Sequence, residues 1–304
     1  RNNRLNLAAF RIGQLLHLGV ARKDAERELE QAARSAGLGG IEVARTIRSG
    51  LEGGKQHPRA PEDKKERART EAMAVVTSPD ATPFVWASQI LPKKVEWLWP
   101  HRIPIGKMTT FAGPGGIGKT FVLCDIAARV SSGSEWPLCG GETAEPGNVL
   151  FISGEDDEDD TLVPRLIECG ANLDRIAFLS PQVHDQFTLA ALELLSSLID
   201  RITDVRLVVI DPPTTYLGDV DSHKDAELRG AILGPLKRWA AKYRVAVILN
   251  THVNKASAPN VDAAARVMGS VAWVNAVRTA HMFIRDKDDP DKVLFVPFKV
   301  NITK

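Results

Sequence analysis

The sequence predicts an α/β fold: a mainly parallel sheet covered by helices on both faces, preceded by a small N-terminal helical module. Three observations carry that prediction. From residue 84 onward short apolar runs of strand length recur, amphipathic stretches of helical length separate them, and one glycine-rich motif sits where a strand hands over to a helix. Runs that are apolar throughout are what strands buried on both faces need.

The front of the chain reads as helical. Leu5, Ala8, Ala9, Ile12, Leu15 and Leu16 form one stripe at helical spacing. Ala25, Leu29, Ala32, Ala33 and Ala36 form a second that stops at Gly37, and Val43, Ala44, Ile47 and Leu51 a third. Together they define a helical module over 1–52. From Gly53 to Pro83 the composition turns to Gly, Pro, Lys, Glu and Ser, which reads as a flexible linker over 53–83. Residues 64–69 within it are a charge run, either a solvated surface or a phosphate contact. The first 70 residues hold 15 Lys or Arg against 9 acids, although the chain as a whole carries a net charge of only +1. A basic front can follow a nucleic-acid backbone; a solvated helix face is the commoner cause.

Residues 84–304 are expected to form the α/β core. A short buried strand over 107–112 precedes the glycine motif, and a helix over 121–130 follows it. Strands at 148–153, 176–179, 205–210 and 245–249 then alternate with helices over about 159–171, 188–202 and 223–242. In such sheets ligands bind beyond the carboxyl ends of the strands, so polar residues directly after a strand become candidates.

The motif itself is Gly113-Pro-Gly-Gly-Ile-Gly-Lys-Thr120, which matches G-x-x-x-x-G-K-[ST] at every position. Its glycines let successive N–H groups turn inward onto phosphate oxygens. Lys119 would reach the β and γ phosphates, and the Thr120 hydroxyl would enter a Mg²⁺ shell. The helix N-terminus behind the loop favours negative charge. Gly113, Pro114, Gly115, Gly116, Ile117, Gly118, Lys119, Thr120 and Phe121 are therefore the expected contacts of a nucleoside triphosphate bound with Mg²⁺.

Other strand ends carry further chemistry. The second strand ends in Ser153-Gly-Glu155-Asp156-Asp157, where Glu155 can activate the water that attacks a γ-phosphate, while Asp157 to Asp160 suit the N-terminus of the next helix. Val208-Val-Ile-Asp211 is an apolar strand closing on an acid, which places Asp211 as the Mg²⁺ carboxylate, acting through water. Leu249-Asn250-Thr251-His252 offers polar groups toward the γ-phosphate; His252 by itself could equally be a structural histidine.

Composition narrows the class further. No apolar run approaches the ~20 residues that span a bilayer, so a cytoplasmic protein without membrane contact is expected. Cys124, Cys139 and Cys169 lack metal-ligand spacing and suggest no disulfide framework. The chain begins at Arg1 without Met, as a piece of a longer polypeptide would.

GPGGIGKT, then FISGEDD, then LVVIDPP, then residues 221–255, then Arg266-Val-Met-Gly-Ser270 with Arg278 together resemble the RepA-like branch of RecA-fold ATPases, the ring-forming DNA helicases of plasmids and phages. The resemblance covers about residues 95–304. It implies a RecA-like P-loop NTPase core, a homo-oligomer that is a hexamer with ATP between subunits, and movement 5′ to 3′ on single-stranded DNA. It also implies roles: Lys119 and Thr120 at nucleotide and metal, Glu155 as catalytic base, Asp211 as metal acid and His252 as γ-phosphate sensor. Arg278, with Lys299 as the second candidate, matches a group donated by the neighbouring subunit. The segment between Asn254 and Met268 reads as a loop; in such rings loops at this place face the pore, so Lys255 and Arg266 are candidate DNA contacts, although no aromatic residue lies among them. The helical front is similar to the segment joining primase and helicase parts in phage and mobile-element replication proteins, which implies a primase domain as partner.

The expected function is thus an ATP-hydrolysing, ring-forming DNA helicase. The alternatives are a nucleotide-switched assembly or loader protein and a recombinase-like filament former. A small-molecule kinase lacks an acceptor-site signature.

Overall fold

The apolar runs of the sequence assemble into one seven-stranded sheet, and the helical stripes at the front into a separate bundle. The computed structural model describes residues 2–16, 21–57, 70, 73–74, 76–77, 82–253 and 271–302. Two compact units result, Arg1–Pro92 and Lys93–Lys304.

The first unit contains α1 (Asn2–Gly13), α2 (Arg22–Ser35) and α3 (Ile41–Lys55). Leu5, Ala9, Ala25, Leu29, Ala33, Val43, Ile47 and Leu51 form its core, all drawn from the three stripes. The helix α3 continues past residue 52 to Lys55, through the glycines that suggested a linker. Those glycines serve packing. A Cβ on Gly54 would lie 2.0 Å from the Phe10 carbonyl oxygen, and one on Gly13 2.3 Å from that of Leu51, so α1 and α3 touch backbone to backbone. Most of the expected linker, including residues 64–69, lies outside the described residues. Phe84, Val85, Trp86, Ile90 and Leu91 are exposed and join no core, and the compact α/β unit spans Lys93–Lys304.

That unit opens with a small antiparallel pair, β1 (Trp97–Trp99) and β2 (Ile103–Pro104). There follow β3 (Met108–Gly113), α4 (Lys119–Ser132), β4 (Asn148–Ser153), α5 (Val163–Glu168) and β5 (Ile176–Phe178). Next come α6 (Pro181–His184), α7 (Leu192–Ile202), β6 (Val205–Asp211), α8 (Asp225–Leu228), α9 (Gly234–Tyr243) and β7 (Ala246–His252). The chain closes with α10 (Ala272–Asn275), β8 (Thr279–Arg285) and β9 (Val293–Val300). The strand order is β5-β4-β6-β7-β3-β8-β9, with every pairing parallel except β8 with β9.

Alternation along each strand feeds two cores. Leu150, Ile152, Val208, Ile210, Val247 and Leu249 point to one face, against α7 and α9. Val149, Phe151, Leu207, Val209 and Ile248 point to the other, against α4 and α5. The expected α/β class with both faces covered is what the chain adopts.

Three differences from the expected elements have physical causes. The helices expected over 159–171 and 223–242 are interrupted by π turns at Glu158–Leu162 and Arg229–Leu233. Each π turn runs directly into Pro164 or Pro235, which has no N–H to give an i to i−4 bond. The helix expected over 188–202 starts at Leu192, because the Thr188 hydroxyl and the Leu189 N–H are engaged by the Tyr216 carbonyl oxygen. Finally, β8 and β9 extend the sheet where no strand was expected. Thr279 and His281 break the apolar run of β8, yet each finds a partner: Thr279 Oγ1 meets Thr109 Oγ1 at 2.8 Å, and His281 Nε2 donates to the Arg102 carbonyl at 3.2 Å, while His281 Nδ1 is buried without one. Pro297 interrupts β9, which is tolerable because β9 is an edge strand.

Candidate active site

Parallel pairing brings four strand ends to one place. Gly113 at the end of β3 lies opposite His252 at the end of β7, and Ser153 of β4 lies opposite Asp211 of β6. The strand β7 runs three residues beyond its expected end, so His252 is its last residue. The cleft over these ends has a volume of 330 Å³ and is lined by Gly116, Gly118, Lys119, Thr120, Glu155 and His252, among others.

The phosphate loop leaves β3 and enters α4. Gly116 and Gly118 have φ of +70° and +94°, so they supply the left-handed turns that aim the loop's N–H groups. Gly113 serves a different end: a Cβ there would come within 2.9 Å of Phe283 Cβ on β8. No side chain caps the N-terminus of α4, which leaves its first N–H groups for an anion. Lys119, only 5% exposed, folds onto the loop and donates to the carbonyls of Gly113 (3.0 Å) and Pro114 (2.9 Å). Burial lowers its pKa, against the opposing pull of Asp211 and Glu155.

Beside the lysine lies an oxygen cluster suited to a hard cation. Thr120 Oγ1 donates to Asp211 Oδ2 at 3.2 Å, and Asn250 Nδ2 donates to Asp211 Oδ1 at 2.6 Å. Asp211 is 3% exposed, and burial pushes its pKa up to about 6 even though both hydrogen bonds favour the carboxylate. Asn250 Oδ1 is buried with no hydrogen-bond partner. One hydroxyl, one destabilised carboxylate and an orphaned amide oxygen make a donor set that fits a hydrated Mg²⁺, which takes one or two protein oxygens and keeps several waters. Asn250 thus turns to the metal acid rather than toward the γ-phosphate.

His252 joins the two catalytic candidates. Its Nδ1 lies 3.4 Å from Lys119 Nζ, and its Nε2 lies 3.2 Å from Glu155 Oε2 and 3.3 Å from Oε1. An ammonium can only donate, so Nδ1 is the acceptor and Nε2–H faces the carboxylate. A phosphate drawing Lys119 away from its carbonyls would therefore change the partner of His252, and with it the hold on Glu155. Of the acids after Glu155, Asp156 takes Arg165 at 3.2 Å, while Asp157 precedes the π turn and Glu158, Asp159 and Asp160 occupy it.

Lys119, Thr120, Glu155, Asp211 and His252 are thus gathered in one cleft. Arg278 is not among them. Its N–H bonds the Met108 carbonyl at the start of β3, five residues before Gly113 and roughly 17 Å away at 3.3 Å per residue. Lys299 lies at the same end, donating to the Val274 and Asn275 carbonyls at the C-terminal end of α10. Lys255 and Arg266 lie outside the described residues. Arg165 and Phe121, the latter 48% exposed, form the outer wall of the cleft. Arg165 escaped sequence reading because it sits mid-helix, where only tertiary structure shows which way it faces. Among the described residues no group of His, Cys, Asp and Glu could hold a metal by itself, and no helix is long and apolar enough to cross a membrane. The three cysteines are free.

A family described as AAA domain, AAA_25, matches residues 74–258, more than half of the chain. The match contains the phosphate loop, Glu155, Asp211 and His252, and ends before Arg278. No curated protein matches the chain.

Proposed function

Because the chain belongs to the AAA_25 family of AAA domains, a family of P-loop ATPases, we propose that it is a DNA motor: an ATP-dependent helicase that assembles as a ring on single-stranded DNA. The observation that carries hydrolysis beyond simple binding is the Lys119–His252–Glu155 chain, which sets a carboxylate beside the phosphate loop.

In this reading the loop N–H groups and Lys119 hold the β and γ phosphates. Thr120 and Asp211 hold Mg²⁺, which neutralises phosphate charge when bound. Glu155 takes the proton of the attacking water, and His252 Nε2–H orients its carboxylate. Moving Lys119 from two neutral carbonyls to phosphate oxygens gives its ammonium anionic acceptors in place of neutral ones.

Ring assembly is supported by the distribution of cations. Arg229, Lys237, Arg278 and Lys299 line a 260 Å³ cleft at the sheet end opposite the phosphate loop. They lie away from this chain's own phosphate loop, where cations that reach a nucleotide held by a neighbouring copy would stand in a head-to-tail ring. Arg278 is the proposed trans-acting group, and a cation of this kind is worth about 10³ to 10⁵ in rate. The exposed row Phe84, Val85, Trp86, Ile90 and Leu91 is apolar surface of the kind that assembly covers. Lys255 and Arg266, which follow His252 in the chain, are the proposed contacts to the DNA backbone, and the RepA-like resemblance suggests a hexamer.

The test is ATP hydrolysis with and without single-stranded DNA, followed by strand separation on a tailed duplex, with Lys119→Ala as the blank. Stimulation by DNA together with strand separation is expected. DNA-insensitive hydrolysis without separation would instead identify a switch or loader.

A further inference from the structure

Behind the Glu155 turn lies a polar cluster that takes no part in the chemistry above. His184, the last residue of α6, places Nε2 2.9 Å from the Ser153 carbonyl oxygen and 2.9 Å from Tyr216 Oη. A carbonyl oxygen can only accept, so Nε2 carries the hydrogen and shares it between the two oxygens. The rings of His184 and Tyr216 meet edge to face at 5.6 Å, and Phe187 closes on Tyr216 from another side at 5.3 Å. Tyr216 is 2% exposed; burial raises its pKa, with Asp211 and Glu158 adding to the effect, so the group stays a hydroxyl.

Two of the three elements joined here aim the catalytic groups. Ser153 Oγ donates to the Asp156 carbonyl (3.0 Å) and accepts from the Asp156 N–H (3.2 Å), closing a four-residue turn that carries Glu155. Gly154 inside that turn donates its N–H to the Asp211 carbonyl at 2.8 Å, and a Cβ on it would lie 2.7 Å from Thr215 Cγ2. The Glu155 turn is therefore seated on the segment that runs from Asp211 to Tyr216. From behind, His184 ties that segment to the Ser153 carbonyl.

From this geometry we infer that His184 and Tyr216 are positioning residues for ATP hydrolysis: a latch that fixes the Glu155 turn against the Asp211 segment. Neither touches the nucleotide cleft, so both act through the placement of the Glu155 carboxylate. The inference rests on Glu155 being the base proposed above. A carboxylate misplaced by about 1 Å loses up to about 10²-fold in rate while phosphate binding is untouched. The latch should therefore appear in kcat and not in nucleotide affinity.

The experiment is steady-state ATP hydrolysis by the whole chain with His184→Ala, His184→Gln and Tyr216→Phe, each also combined with Glu155→Gln. Binding of a non-hydrolysable ATP analogue and thermal melting are recorded for every variant. His184→Ala is expected to lower kcat roughly 10- to 100-fold with analogue affinity within about 2-fold. His184→Gln, whose amide N–H can reach the Ser153 carbonyl, is expected to recover most of that loss, and Tyr216→Phe to fall between. In the Glu155→Gln background His184→Ala should change the residual rate less than about 2-fold, since residues acting as a unit are not additive. Equal losses in kcat, analogue affinity and melting temperature would mark a merely structural histidine and overturn the latch. So would full turnover by His184→Ala while Glu155→Gln is inactive, which leaves the base assignment standing. Full turnover by Glu155→Gln overturns both.

Discussion

Replacing Asp211 with Asn should make the protein more stable and inactive at once. The carboxylate is buried and its pKa is raised from 3.8 to about 6. Between those two values the native state binds a proton that the unfolded chain has released, so native stability falls as pH rises through this window. Above pH 6 the full penalty applies, and at 1.36 kcal/mol per pKa unit it is at most about 3 kcal/mol. The amide escapes this penalty while keeping the shape. One of the two donors now bonded to Asp211 would face an amide N–H, but Asn250 has an orphaned oxygen that can rotate to accept it. Part of the gain is lost in that rearrangement, so about 1–2 kcal/mol is expected at pH 7.5, or roughly 2–8 °C in Tm for a unit of this size. The assay is thermal melting of both proteins from pH 4 to pH 8 without nucleotide or Mg²⁺. Near pH 4 the native carboxyl is neutral while the unfolded one, with its ordinary value of 3.8, is about half ionised, so the gap should shrink to a small remainder; the curves should separate progressively up to about pH 6.5. Adding Mg²⁺ with an ATP analogue should restore the wild-type protein more than the variant, because only the carboxylate gains from the cation. An Asp211→Asn protein that is less stable at pH 7.5, or offset from wild type by the same amount at every pH, would show that burial does not penalise this carboxylate.

Other expectations follow from the same geometry. Arg278→Ala should leave analogue binding within about 2-fold while cutting turnover by about 10³ or more; mixed with a Lys119→Ala protein whose own arginine is intact, it should regain activity only if subunits share sites. Gly113→Ala brings a Cβ within 2.9 Å of Phe283 and should destabilise the α/β unit by about 1–3 kcal/mol, read by denaturant unfolding. Gly54→Ala, with 2.0 Å to the Phe10 carbonyl, should destabilise the helical unit in the same assay while leaving the nucleotide cleft unaffected.

How legible all this is in the sequence depends on the range of the interactions. The phosphate loop and the buried strands are local signals: glycine spacing and unbroken apolar runs are written in consecutive residues, and β3, β4, β6 and β7 stand close to where those runs place them. Strand ends are legible too, because a parallel sheet gathers them at one edge, which is why Glu155, Asp211 and His252 can be named before the fold is known. Contacts made across the sequence are not legible in this way. The partnership of Asn250 with Asp211 links positions 39 apart, and the latch between His184 and Ser153 spans 31, with no local pattern marking either. Strand β8 was hidden because Thr279 and His281 look wrong for a buried strand until their partners Thr109 and Arg102 are in place. Gly53 and Gly54 mislead for the same reason: glycine reads as a linker signal unless the helix it admits is known.

The claim on which the rest depends is that Glu155 is the base of an ATP-hydrolysing site. Single-turnover hydrolysis by Glu155→Gln, measured with its affinity for ATP, tests it most directly. The structure predicts a chemical step slowed by about 10² or more with ATP affinity within a few-fold of wild type, because the phosphate loop, Lys119 and Asp211 remain intact. A chemical step at the wild-type rate in that variant would show that Glu155 is not the base.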